Sequence, residues 1–204
     1  MRKVLFLDCD GVLLDWTGPF LNFVNAPITP DQVIEYDMTK TGLWLDTAEF
    51  MNDLQRFEET NAWANLPTLC LMTSLEALKN IGYELRVLTM AGHTPRSRAA
   101  RVQNLTKKFG AVFSGIEFVG PKDCKIEWID KWMREQREQS CYPVEVHGLV
   151  EDKSSTLIKT VEYGLSGFTA YGIRRPYNSD TWHRKGIDWF TSVDALAFKL
   201  MTEV

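Results

Sequence analysis

The stretch Lys3-Val4-Leu5-Phe6-Leu7-Asp8-Cys9-Asp10-Gly11-Val12-Leu13-Leu14-Asp15 runs from an apolar segment straight into two acids and a glycine. Lys3–Asp8 reads as a buried strand, because a short apolar run bounded by polar residues suits a strand covered on both faces. Asp8 and Asp10 leave that strand at its C-terminal end, and Gly11 permits a sharp turn. In parallel α/β sheets, ligands bind outside the carboxyl ends of the strands. Asp8 and Asp10 are therefore candidates for chemistry. Were the strand to continue, positions i and i+2 would face one side. Two carboxylates there repel unless a cation sits between them. The plainer alternative is an Asx-type turn with solvated acids.

Working outward, short apolar runs alternate with helical patterns, which predicts a parallel sheet flanked by helices. Helical spacing covers 70–81, with Leu71, Leu75 and Leu78 ahead of Gly82. A strand follows over Glu84–Thr89, then a helix over Thr94–Phe109 with a threonine cap, Pro95 in its first turn and Gly110 at its end. Ile116–Val119 reads as a strand and Asp123–Glu138 as a helix. Val144–Val150 is the next strand, and a helix opens at Ser154 or Ser155. Phe168–Ile173 is a further strand, and Val193–Met201 closes the chain as an amphipathic helix.

One connection is too long. Thr89 stands 81 positions after Asp8, whereas a βα unit needs only about 30 residues. The excess coincides with a shift in charge. Residues 15–74 hold nine acidic and two basic side chains, while the remainder holds 18 and 21. Trp16, Phe20, Phe23, Tyr36, Trp44, Phe50, Phe57 and Trp63 fall in the same stretch. The expected organisation is a Rossmann-like α/β core over 1–14 and 75–204, with a small helical cap over 15–74 inserted after the first strand.

The 204 residues, 45% hydrophobic and 12% aromatic, can fill a sizeable core, which excludes a mainly disordered chain. No apolar run approaches the roughly 20 residues of a membrane span. The apolar stretch after Met1 stops at Asp8, short of a signal-peptide core. The expectation is a cytoplasmic protein with Cys9, Cys70, Cys124 and Cys141 reduced. No CxxC spacing points to zinc.

Two more strand ends carry polar groups. Thr89 follows Leu85-Arg86-Val87-Leu88, and the loop Met90–Thr94 leads into a helix. A hydroxyl and free amides there could hold phosphate oxygens. Glu151-Asp152 follows His147-Gly148-Leu149-Val150. Between them, Lys122-Asp123-Cys124-Lys125 opens a helix, where a lysine opposes the helix dipole.

Taken in order, DxDG, strand-Thr, helix-start Lys and strand-Glu-Asp resemble the motifs of the haloacid dehalogenase-like hydrolase superfamily, spanning residues 8 to 152. The resemblance implies that Asp8 is a nucleophile and Asp10 a general acid and base. It implies that Thr89 binds the transferring phosphoryl group and that Lys125, or alternatively Lys122, neutralises it. Asp8, the Asp10 carbonyl and Asp152 would hold Mg²⁺, with Glu151 acting through water. The chemistry is coherent, since a carboxylate attacks a phosphate dianion only when cations offset the repulsion. Oxygen ligands suit Mg²⁺.

DxDGVL followed by an aromatic, together with Tyr36-Asp37 and Arg175-Pro176-Tyr177-Asn178, is similar to the 5′(3′)-deoxyribonucleotidases. That implies a nucleoside monophosphate as the small phosphorylated substrate. Met90 would contact it, and Phe20, Phe23 and Trp44 are candidates for stacking on its base. The alternative for each ring is a place in the cap core. The basic run Arg96, Arg98, Arg101, Lys107 and Lys108 supports a second reading, a polynucleotide 3′-phosphatase tracking a nucleic-acid backbone. A third is a non-catalytic phosphate-binding module. His93, His147 and His183 have no spacing that names a role.

Overall fold

The computed structural model describes residues 2–120, 123–139 and 144–203. Lys122 and Cys141 lie outside these. Strand β1 (Arg2–Leu7) is followed by β2 (Tyr83–Thr89), β3 (Gly115–Phe118), β4 (Val144–Glu151), β5 (Thr169–Ile173) and β6 (Ile187–Phe190). All pairings are parallel, in the order β3-β2-β1-β4-β5-β6. This is the doubly wound α/β arrangement the alternating pattern predicts, with the order reversing beside β1. β6 is the strand the sequence reading passed over. It has four residues directly after Gly186, too few for an alternation to show.

Before β2 lies α3 (Met72–Asn80). Helices α4 (Pro95–Phe109), α5 (Lys125–Gln139) and α6 (Ser154–Tyr163) connect successive strands, and α7 (Val193–Thr202) closes the chain. α4 begins where expected: the Thr94 side chain accepts from Ser97 N at 3.1 Å, with Pro95 in the first turn. One face of the sheet packs Leu5, Leu7, Leu85 and Val87 against α3, α4 and α7. The other packs Val4, Phe6 and Leu88 against Ile129 and Trp132 of α5.

Between β1 and α3 the chain forms α1 (Thr17–Phe23), α2 (Thr47–Glu58) and three short 3-10 turns, the last at Trp63–Asn65. It leaves and returns through one paired stem, in which Asp15 N donates to the Pro67 carbonyl and Leu69 N to that of Leu13. Phe20, Trp44, Phe57 and Trp63 of this insertion share one apolar cluster with the sheet.

β4 carries an irregularity. Val4 of β1 faces Val146 but Leu5 faces Gly148, so His147 is an extra residue, a β-bulge. Before it Val144 and Val146 point to α5; beyond it Leu149 does, and Val150 turns to the opposite face. Gly148 has no room for a side chain, since a Cβ would strike the Thr169 carbonyl and the Tyr171 ring.

Candidate active site

The carboxyl ends of β1, β2 and β4 converge on one cavity of ≈160 Å³. β1 and β4 are locked together at this end, where Asp8 N donates to the Val150 carbonyl at 2.9 Å. Gly11 turns the chain at φ 76°, in the region that glycine tolerates. A Cβ there would also collide with the Asp152 carboxylate. The DxDG glycine thus serves both the turn and the approach of β4.

Asp8, Glu151 and Asp152 are all buried, and one carboxylate oxygen of each lies within 4.8 Å of the others. Lys125, the first residue of α5 and itself buried, places Nζ 2.6 Å from Asp8 and 2.7 Å from Glu151. The second oxygen of Glu151 accepts from the amides of Asp152 and Lys153, each at 3.1 Å. Both oxygens are therefore committed, and Glu151 acts as the counter-ion of Lys125. The family-like role expected for it, metal binding through water, would have to compete with these bonds.

Asp10 forms no ion pair with Lys125 among the described residues. β1 ends at Leu7, so the i, i+2 alternation of a strand does not extend to Asp10. Asp10 pairs instead with Arg101 of α4, at 2.8 Å to Oδ1. Asp152 accepts from the Tyr177 hydroxyl. Its carbonyl accepts from Asn178 Nδ2 at 2.7 Å. Arg175 Nε donates to the Gly11 carbonyl at 2.8 Å. The 3-10 turn at Pro176–Thr181, just after β5, thereby braces both the DxDG turn and the end of β4.

Burial raises the Asp8 pKa to about 8, with Glu151 adding to the rise and Lys125 opposing it. Burial also holds Asp152 well above the usual carboxylate range, reinforced by Glu151 and Asp8. Asp10 is raised by burial against the pull of Arg101. Lys125 is held above the ordinary lysine value: burial works against its charge, and Asp8 and Glu151 outweigh it. Asp8 and Glu151 thus share one lysine, with Asp152 packed beside them. Asp152 Oδ1 is buried and has no hydrogen-bond partner among the described residues. An all-oxygen donor set with an orphaned carboxylate oxygen fits a hard divalent cation.

Thr89 ends β2, 1% exposed. Its Oγ1 accepts from Ala91 N at 3.1 Å, which leaves its O–H free to donate. Thr89 and Met90 both line the cavity, as do Asp8, Asp10 and Lys125. Phe20, Phe23 and Trp44 do not. Phe20 is fully buried, stacked on Trp44 at 5.7 Å and packed on Phe57 at 5.3 Å. Phe23 packs on Phe57 as well, at 5.5 Å. They fill the space between α1 and α2, and the expectation that they line the site is corrected. The rings that reach the cavity are Trp16, Tyr36 and Trp63.

Two further wall residues had no assigned role. Glu58, at the end of α2, accepts from His93 N at 3.0 Å and lies 2.7 Å from His93 Nδ1. This joins the insertion to the loop after Thr89. Nothing in the spacing of Glu58 and His93, 35 residues apart, could have paired them.

The basic run of α4 does not form one exposed track. Arg101 is fully buried, Arg98 Nε donates to the Gly92 carbonyl at 3.0 Å, and Lys107 reaches Asn65 at 2.9 Å. Among the described residues, Cys9, Cys70 and Cys124 are free thiols, and no helix is long and apolar enough to cross a membrane.

A scan against protein-family models gives no match, and a search of curated protein sequences gives none. Solved structures do match. Protein Tyrosine Kinase A of Mycobacterium tuberculosis is 16% identical, with TM-score 0.63 over 98% of both chains. A haloacid dehalogenase-like family hydrolase of Streptococcus pneumoniae is 14% identical, with TM-score 0.61 over 97% of this chain and 98% of that one. The D,D-heptose 1,7-bisphosphate phosphatase of Burkholderia thailandensis is 14% identical, with TM-score 0.52 over 98% and 99%. The fold is that of the haloacid dehalogenase-like hydrolases.

Proposed function

We propose that this chain is a divalent-metal-dependent phosphomonoester hydrolase that works through an aspartyl-phosphate on Asp8. The observation that carries the reading is the buried Asp8–Lys125–Glu151–Asp152 cluster, with a separately held Asp10 beside it. Asp8 and Asp152 would hold the cation with the Asp10 carbonyl; Mg²⁺ is the natural occupant for carboxylate ligands. When bound, it offsets the negative charge that gathers where phosphate meets carboxylate. Lys125 and the Thr89 hydroxyl bind the phosphoryl oxygens. The Asp8 carboxylate attacks phosphorus while the bond to the leaving oxygen breaks and Asp10 donates a proton to it. Asp10 then takes a proton from water, which attacks the aspartyl-phosphate. The Asp8–phosphorus link breaks, and phosphate and free Asp8 are regenerated.

For the substrate we favour a nucleoside monophosphate. Trp16 is half-buried and lines the cavity, and an aromatic ring there suits a base. Tyr36 also lines it, with Lys153 Nζ over its ring at 4.7 Å from the centroid. The polynucleotide alternative loses the continuous cationic face it needs.

Hydrolysis of nucleotides, sugar phosphates and p-nitrophenyl phosphate, with and without EDTA, tests the reading. Asp8→Asn keeps the shape but not the nucleophile, so it should fold with turnover below detection. Asp152→Ala should remove the metal-dependent rate, and Glu151→Gln should lower it less. Full activity of Asp8→Asn, or of EDTA-treated enzyme, would overturn the proposal.

A further inference from the structure

A line of contacts runs from the insertion to the second aspartate through Trp63 and Arg101. Arg101 sits in the middle of α4 and is 0% exposed. One nitrogen, Nη2, donates to Asp10 Oδ2 at 3.2 Å and lies 2.8 Å from Oδ1, which has no hydrogen-bond partner among the described residues. Nε and Nη1 have no hydrogen-bond partner among the described residues. The guanidinium lies on the Trp63 ring, with Cζ 3.8 Å from the ring centroid. Trp63 is in turn fixed by its indole N–H, which donates to the Ser97 carbonyl of α4 at 3.0 Å.

A buried guanidinium with unmade N–H bonds is a poor way to stabilise a fold, and an apolar residue of similar volume generally does as well or better. What the arginine does is local. Asp10 lies beyond the end of β1, where no strand fixes its side-chain direction. Lys125 is the other cation acting on it. Arg101 withdraws Asp10 from that cation and fixes its carboxylate on the cavity wall. The flat Trp63 face fixes the guanidinium plane in turn.

We propose that Arg101 is the positioning residue of Asp10, and that Trp63 is the contact through which the insertion sets it. This rests on the reading of Asp10 as the proton donor to the leaving oxygen. Neither residue touches the substrate in this scheme. Trp63 lines the cavity, but its face is already occupied by Arg101.

The test is leaving-group selectivity. An alkyl leaving group such as the ribose of dUMP needs a proton, whereas p-nitrophenolate does not. kcat/KM is measured on dUMP and p-nitrophenyl phosphate for wild type, Asp10→Asn, Arg101→Met, Arg101→Lys, Trp63→Leu and Trp63→Phe, beside thermal melts. A positioned proton donor contributes about 10²–10⁴-fold. Arg101→Met should therefore lose about 10–100-fold on dUMP, part of that contribution, with little change on p-nitrophenyl phosphate. Arg101→Lys, which keeps charge without the planar fork, should recover part of the loss. Trp63→Leu should show a smaller selective loss that Trp63→Phe restores. If Asp10→Asn is not selective, the proton-donor role itself falls. If Asp10→Asn is selective but the Arg101 and Trp63 variants lose equally on both esters, or lose nothing, the positioning role is overturned. Should Arg101→Met not fold, Arg101→Lys and Trp63→Leu decide by the same ratio.

Discussion

Each acid at the cavity has one specific neighbour that decides what it can do. Asp152 is held by Tyr177, whose hydroxyl donates to one carboxylate oxygen and leaves the other unpartnered. A donor of this kind orients a metal ligand, and its loss typically costs about 10–100-fold in affinity. Tyr177→Phe should weaken Mg²⁺ binding by about that factor, read by calorimetric titration and independently of turnover. Equal affinity in the two proteins would show that Tyr177 does not orient Asp152. A second residue-level effect lies in the middle of β4. His147 packs its ring on Tyr171 and Tyr83, and its Nε2 lies 2.8 Å from the Tyr171 hydroxyl. Burial lowers its pKa from the ordinary 6.5, helped by Lys3. The folded protein binds this proton less readily than the unfolded chain, so stability present at neutral pH is lost as pH falls below about 6.5. His147→Gln should flatten the fall in melting temperature between neutral and mildly acid pH. An unchanged slope would place the acid sensitivity elsewhere.

At the level of elements, α1 and α2 separate the rings that build the insertion from those that face the cavity. Phe20 is enclosed by Trp44, Phe50 and Phe57. Phe20→Ala should cost about 3–5 kcal/mol of stability and lower kcat/KM equally on dUMP and p-nitrophenyl phosphate. Trp16→Ala, at a half-buried ring, should lower the melting temperature less than Phe20→Ala does. It should lose about 1–3 kcal/mol on the nucleotide alone, from the missing stacking ring. Equal losses on both esters would make Trp16 structural. Trp16 and Phe20 also show where reading the sequence stops. They stand four positions apart with rings 5.3 Å from each other, so helical spacing puts both on one face. Only the packing of α2, a long-range contact, decides which is core. Asp8, Thr89 and Asp152 were legible for the opposite reason. Apolar strands end abruptly at them, and a parallel sheet brings its carboxyl ends together. Arg101 was visible only as one cation in a run, because its partner lies 91 residues away.

For the whole molecule, the order of the sheet makes the cleft. β1 is central, β2 and β4 flank it, and the reversal of winding opens the space that the insertion covers. The insertion is the net acidic part of the chain, with nine acidic against two basic side chains, while Lys125 and Arg101, the cations paired with Asp8 and Asp10, come from α5 and α4. The bulge in β4 bears on how such a chain can change in length. Losing one residue from a central strand generally turns every later side chain over. In β2, whose register is unbroken, removing Val87 would send Thr89 to the wrong face and should end activity. At His147 the opposite holds. Without it, Val144, Val146, Leu149 and Glu151 would simply alternate on one face, and Glu151 would still meet Lys125. Deleting His147 should therefore leave a folded protein that retains the turnover proposed for the intact chain. That would mark one place in the heart of the sheet where the chain tolerates shortening, and an inactive deletion would show that the bend itself aims the acids.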